Sequence, residues 1–133
     1  MLNNLGALCH RQGRYNDAES LYQSALAIDE RALGPEHPNV AKDLDDLAAL
    51  FFDQGRYAEA EPLYRRAITV HEKALGPNSP ELANQLDNYA AVLRALNWKS
   101  QAAQVEARAK SIRAKAEQSK RAPAKRTGKK SRP

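Results

Sequence analysis

The chain has 133 residues, 21 basic and 16 acidic, with a formal net charge of +5, which leaves room for one domain or one short array plus a tail. The charge is uneven: Lys120, Arg121, Lys125, Arg126, Lys129, Lys130 and Arg132 stand in residues 118–133 with no acidic residue, so the body is left at about −2. A single cysteine, Cys9, excludes an internal disulfide, and neither a secretory leader nor an apolar run of membrane-spanning length is present, so a cytoplasmic protein without a membrane span is expected.

In chain order, the apolar spacing predicts helices over about 2–12, 15–33, 38–54, 57–75, 80–96 and 99–117. Leu44, Leu47, Ala48 and Phe51 recur at three- and four-residue steps, as do Ala60, Leu63, Tyr64, Ala67 and Ile68. Gly55 lies between these two stripes, where a first helix ends on a residue tolerant of positive φ. Gly76 and Pro77 close the second helix, and Pro38 and Pro80 open the helices that follow. Ser79 is a good N-cap by type and His37 a poor one. No alternating apolar pattern is long enough for a strand, so the class is all-α.

The stretch GRYNDAESLYQSALAIDERALGP at 13–35 returns as GRYAEAEPLYRRAITVHEKALGP at 55–77, a shift of 42 residues that also carries Leu5 to Leu47 to Tyr89. Repetition at this period predicts a stacked solenoid. The units are about 1–37, 38–79 and 80–117, followed by a tail at 118–133. In the third unit the positions of Tyr22 and Tyr64 become Glu106, those of Leu26 and Ile68 become Lys110, and those of Leu33 and Leu75 become Glu117. Ala102, Val105, Ala109 and Ile112 still supply an apolar inner face, so this unit reads as a C-terminal cap. Met1 aligns with Asp43, so the first helix lacks the turn that residues 38–42 give its neighbour. Either an upstream segment is missing, or the first hairpin is exposed and loosely held; a fragment of a longer array, or a gene product shortened from one, is the expectation.

Leu5, Gly6, Cys9, Ala18, Tyr22 and Ala25, echoed by Leu47, Ala60, Tyr64 and Ala67, resemble the tetratricopeptide repeat. The fuller pattern, with its eight extra residues per unit, looks like the kinesin-light-chain variety. The resemblance covers about residues 1–116 and implies a right-handed α-solenoid of three helical hairpins. It also implies a non-enzymatic scaffold or adaptor that binds a peptide segment on a concave face formed by the first helix of each hairpin. The inward positions carried over are Asn3, Asn4, Ala7 and His10; Lys42, Asp45, Asp46, Ala49 and Phe52; and Asn84, Asp87, Asn88, Ala91 and Arg94. Ala7, Ala49 and Ala91 form a ladder of small side chains, and the asparagines can donate and accept toward a peptide backbone. Asp45, Asp46 and Asp87 make this groove mildly acidic, so neutral or basic peptides are the expected partners. The plain alternative is a solvated polar face.

Catalysis has little to rest on. His10, His37 and His71 are far apart without metal-ligand spacing, and adjacent Asp45 and Asp46 point in different directions on a helix. Cys9 takes the place of Phe51 and Leu93 and reads as a small buried hydrophobe. No enzyme activity and no cofactor are expected. The basic tail is too polar to offset its ordering entropy and is expected to be disordered. It offers phosphate contacts, so nucleic-acid association is the alternative function; a solubilising terminus, or one folded back on the acidic groove, fits the same residues.

Overall fold

The computed structural model describes the backbone of residues 2–130 and the side chains of residues 2–119. Six helices follow one another: α1 (Leu2–Arg11), α2 (Tyr15–Leu33), α3 (Pro38–Asp53), α4 (Tyr57–Leu75), α5 (Pro80–Ala95) and α6 (Lys99–Lys130). They pair as three antiparallel hairpins, α1–α2, α3–α4 and α5–α6, and the second helix of each packs on the first helix of the next. The helix limits agree with the apolar spacing except in α6, which the pattern closes near 117. That difference falls in the tail, where α6 continues to Lys130 while the seven basic side chains at 120–132 lie outside the described residues.

The tight turn inside each hairpin needs one left-handed residue. Gly13 and Gly55 take φ values of 78° and 77°, and Asn97, at the same place in the third unit, takes 69°. Asparagine enters this region more readily than other residues with a β-carbon, so the diverged unit keeps the turn after losing its glycine. A second glycine serves close approach. A β-carbon on Gly6 would lie 2.8 Å from two ring carbons of Tyr22, so the bare backbone of α1 is what lets that ring lie flat against it.

The caps reverse the expectation from residue type. His37 accepts a bond from the Asn39 amide on Nδ1 at 3.0 Å, whereas the Ser79 hydroxyl makes no cap bond. It donates instead to the Glu81 carboxylate at 2.6 Å. A charged acceptor two residues on outcompetes the helix amides for that hydroxyl.

Tyr22 and Tyr64 are both buried, in one apolar cluster with Cys9, Ala18, Leu47, Leu50, Phe51, Ala60 and Val92. Outside this core the hairpins are tied along two layers. Along the second helices and their flanking turns, Arg56 pairs with Glu19 at 3.0 Å, Lys73 with Glu36 at 2.6 Å, Arg66 with Glu30, and Arg108 with Glu72. The last two pairs are one repeat apart, so the same bridge is built at both junctions. Such partly exposed pairs contribute about 0–1 kcal/mol each and chiefly set register.

Pro62 lies inside α4, past the first turn, and lacks the N–H that would reach the Ala58 carbonyl. Ser20 and Gln104 hold its place in α2 and α6. Pro62→Gln is expected to raise stability by about 1–3 kcal/mol, since an interior helix proline costs about 3. A denaturant midpoint equal to or below that of the parent would contradict this.

Candidate functional site

The fourteen inward positions fall on α1, α3 and α5 in rows set by the repeat. None is fully buried. Ala7 and Ala49 are half-buried and Ala91 is exposed, while the neighbouring row, Gly6, Ala48 and Ala90, is buried against the second helices. Asn4, Lys42, Asn84, Asp87, Asn88 and Arg94 are exposed; Asn3, His10, Asp45, Asp46 and Phe52 are half-buried.

Several of these side chains join hairpins to one another. Asn3 on α1 donates through Nδ2 to Asp43 Oδ1 on α3 at 2.6 Å. One repeat on, Asp45 on α3 accepts from Gln85 on α5. In the third unit the counterpart, Asp87, pairs with Arg113 of α6 at 2.7 Å. Arg113 also donates to Asn84 Oδ1 at 2.9 Å. His10 Nε2 lies 2.6 Å from Asp53 Oδ2 and sits edge-on to Tyr15 and Tyr22. Phe52 packs edge-on against Tyr57, with ring centres 5.1 Å apart. Arg94 donates from Nε to Glu106 at 2.9 Å, an ion pair where the second unit has Phe52 and Tyr64.

These contacts redraw the charge of the face. The sequence supplies Lys42 and Arg94 as its inward cations; the structure adds Arg113, which offsets Asp87, and ties Arg94 to Glu106. The open negative charge is therefore concentrated on Asp45 and Asp46 at the centre, beside Lys42. Burial pushes Asp45 up to about 6 against the bond from Gln85, with Asp46 adding to the rise. Burial also raises Asp46, opposed by Lys42 and His10.

Beneath this face, Asp43 is fully buried. Burial first, then a hydrogen bond with the Asp29 carboxyl, pushes it up to about 7, while the bond from Asn3 pulls it down. Its Oδ2 meets no hydrogen-bond donor, so burial favours the protonated form of this side chain. Composition does not single out this residue. Its mark in the sequence is an acid at position 43 inside an otherwise apolar stripe.

Cys9 is buried, and among the described residues no group of histidine, cysteine and carboxylate side chains could hold a metal ion. No helix among them is long and apolar enough to cross a membrane.

Three stacked hairpins, each handing its second helix to the next, define a right-handed α-solenoid. The tetratricopeptide repeat pattern matches residues 1–73 and again 44–115. The chain belongs to the tetratricopeptide repeat family, whose members bind protein partners. Its fold is similar to the nearly identical TPR-like repeats assigned to a kinesin light chain of Podosopora anserina, with a TM-score of 0.77, 22% identity and 86% of this chain covered. A point variant of that protein gives 0.78, again at 22% identity, covering 86% of this chain and 54% of its own. BtubC (BKLC) from P. vanneervenii gives 0.54 at 21% identity over 87% of this chain. The chain spans 55% of the Podosopora protein and 63% of BtubC. Among curated proteins, none matches the chain in sequence.

Proposed function

We propose that the chain is a protein-interaction scaffold that holds an extended or helical peptide along the face of α1, α3 and α5, and that it acts without chemistry of its own. The observation that carries this is the Ala7, Ala49 and Ala91 row. Small side chains at one repeat spacing stay half or fully exposed, while the adjacent small row is consumed in helix packing. A partner backbone can approach such a row closely, and Asn4 and Asn88 flank it with donors and acceptors.

The charge at the centre supports a preference for neutral or basic peptides, strongest at low salt, because exposed charges more than about 10 Å apart are screened near 0.1 M. The test is a peptide array probed with the full chain and with Asp46→Asn at two ionic strengths. Basic peptides are expected to rank above acidic ones, with Asp46→Asn narrowing the gap. Ala49→Trp is expected to lower retention of every bound peptide by about tenfold or more, a loss of about 1.4 kcal/mol. Selection of acidic peptides, or indifference to Ala49→Trp, would move recognition off this face. Retention of RNA or DNA that is lost on deleting 118–133 and falls steeply with salt would favour the nucleic-acid reading of the tail.

A further inference from the structure

Trp98 is the chain's single tryptophan, and it stands 46% exposed in the turn just before α6. One repeat earlier its place is held by Arg56. That guanidinium lies 4.1 Å from the centre of the Phe51 ring and donates from Nη1 to Glu19 at 3.0 Å. It also reaches the Glu59 carboxylate, from Nε at 2.9 Å and from Nη2 at 2.7 Å. An arginine thus fills the junction between the first two hairpins, set on an aromatic ring and between two carboxylates.

At the next junction the same socket is built without its arginine. Glu19 and Glu59 become Glu61 and Gln101, Phe51 becomes Leu93, and Arg56 becomes Trp98. These four counterparts, with Tyr89 and Gln104, line an open cavity of about 360 Å³ between α4 and α6. Glu61 is only 8% exposed, and its Oε2 accepts from the Tyr89 hydroxyl at 2.7 Å. Arg65, on the same helix and at the rim of the cavity, stays 3.6 Å from that oxygen, beyond hydrogen-bond reach, with most of its side chain in water. A carboxylate held this deep gains from a charged donor, which Tyr89 does not supply.

We propose that this cavity takes the guanidinium of an arginine on a partner polypeptide, entering from outside where Arg56 fills the earlier socket from within. Glu61 accepts from it, and Gln101 offers an amide oxygen in the place of Glu59. The indole of Trp98 supplies the flat aromatic surface that Phe51 supplies to Arg56. A polypeptide suits the site better than a free cation. An adjoining cavity of about 290 Å³ shares Tyr89 and Val105 and continues onto Ile68 and Leu86, which gives room for an apolar side chain beside the arginine. The socket lies inside the stack, between hairpins two and three, and uses none of the inward positions, so it stands independently of the peptide face.

The test titrates the full chain with a dye-labelled, end-capped heptapeptide that carries one arginine between leucines. Saturable binding is expected, with a change in the emission of Trp98. Citrulline in place of the peptide's arginine keeps the shape and removes the charge, and is expected to weaken binding by about tenfold or more. Glu61→Gln should have the same effect, and its amide can still accept from Tyr89, so the fold should hold. Trp98→Arg should refill the socket from within and likewise weaken binding by about tenfold or more. Asp46→Asn should leave the affinity unchanged, which separates this site from the peptide face. Absence of saturable binding up to about 1 mM, or binding indifferent to citrulline, Glu61→Gln and Trp98→Arg alike, would overturn the proposal. Binding lost in Asp46→Asn and kept in Glu61→Gln would move the arginine to the face of α1, α3 and α5 and overturn it as well. Dimers of the parent that Glu61→Gln dissolves would give the socket to a second copy. Binding that tightens when Arg121, Arg126 and Arg132 are all replaced by glutamine would give it to this chain's own tail. Either result would overturn the named partner.

Discussion

Tyr64→Ala is expected to cost the fold about 3–5 kcal/mol, the range for removing a large buried aromatic side chain. Tyr22→Ala is expected to cost less, although Tyr22 is just as deeply buried. The difference lies in what surrounds each ring. Tyr64 belongs to hairpin two, whose helices α3 and α4 pack on α2 before them and α5 after them. Tyr22 packs on Gly6 of a ten-residue helix whose Leu5 and Leu8 remain open. In this 133-residue chain hairpin one packs on a neighbour from one side, so it is expected to open locally at lower free energy and to take up part of the loss at Tyr22. Urea melts followed by circular dichroism measure both, and the reverse order would refute this account of the open end.

The second large effect is a dependence of stability on pH. Burial first, then the Asp29 carboxyl, pushes Asp43 in the folded chain up to about 7 from an ordinary value of 3.8. A raised value in the folded state means that this state binds the proton more tightly than the unfolded chain does. The stabilising contribution of the protonated form is present below about pH 4 and is lost as pH rises toward 7. Asp45, raised to about 6, acts in the same direction. The carboxyls of Glu59 and Glu106 are held low by Arg56 and Arg94, and that of Glu81 by Ser79, so their contacts persist through this window.

Unfolding midpoints are therefore expected to fall between pH 5 and pH 8. Asp43→Asn should make the protein more stable at pH 8 by about 1–3 kcal/mol, the cost of a buried polar group left without a partner, because Asp43 Oδ2 meets no donor. An amide there can still accept from Asn3 without carrying charge into the core. A parent protein that gains stability up to pH 8 would mean that Asp43 is comfortably ionised, held by Asn3 alone.

The helices were legible because their ends are local. Gly13, Gly55, Pro38 and Pro80 act on the backbone within a turn of where they stand, and the 42-residue shift carries the same punctuation from unit to unit. Side-chain partners across hairpins were less so, because helical spacing says which face a residue takes and not what the neighbouring hairpin brings to it. The pairing of Asp87 with Arg113 escapes the sequence for that reason: the repeat pattern lines the inner face with first helices, and Arg113 reaches it from α6. A signal does exist. The row Asp29, His71, Arg113 grows more basic as the row Asn3, Asp45, Asp87 grows more acidic. In the same way, the exchange of Phe52 and Tyr64 for Arg94 and Glu106 replaces two aromatic residues by opposite charges in one step. Ser79 fails as a cap because its competing acceptor, the Glu81 side chain, is chosen by geometry that residue type does not carry.

The large helix interfaces run α1 to α2, α2 to α3, and so on to α6, each between helices consecutive in sequence. During synthesis, every helix that leaves the ribosome therefore finds its partner already waiting just ahead of it, and no segment has to remain unpaired until a distant one arrives. Closing such short loops costs little entropy, so the array can assemble from its first hairpin onward, quickly and without a long exposed stage. The same connectivity makes the middle hairpin the weak point for a nascent or damaged chain. Losing either end leaves two hairpins stacked, whereas losing the centre leaves two that never touch.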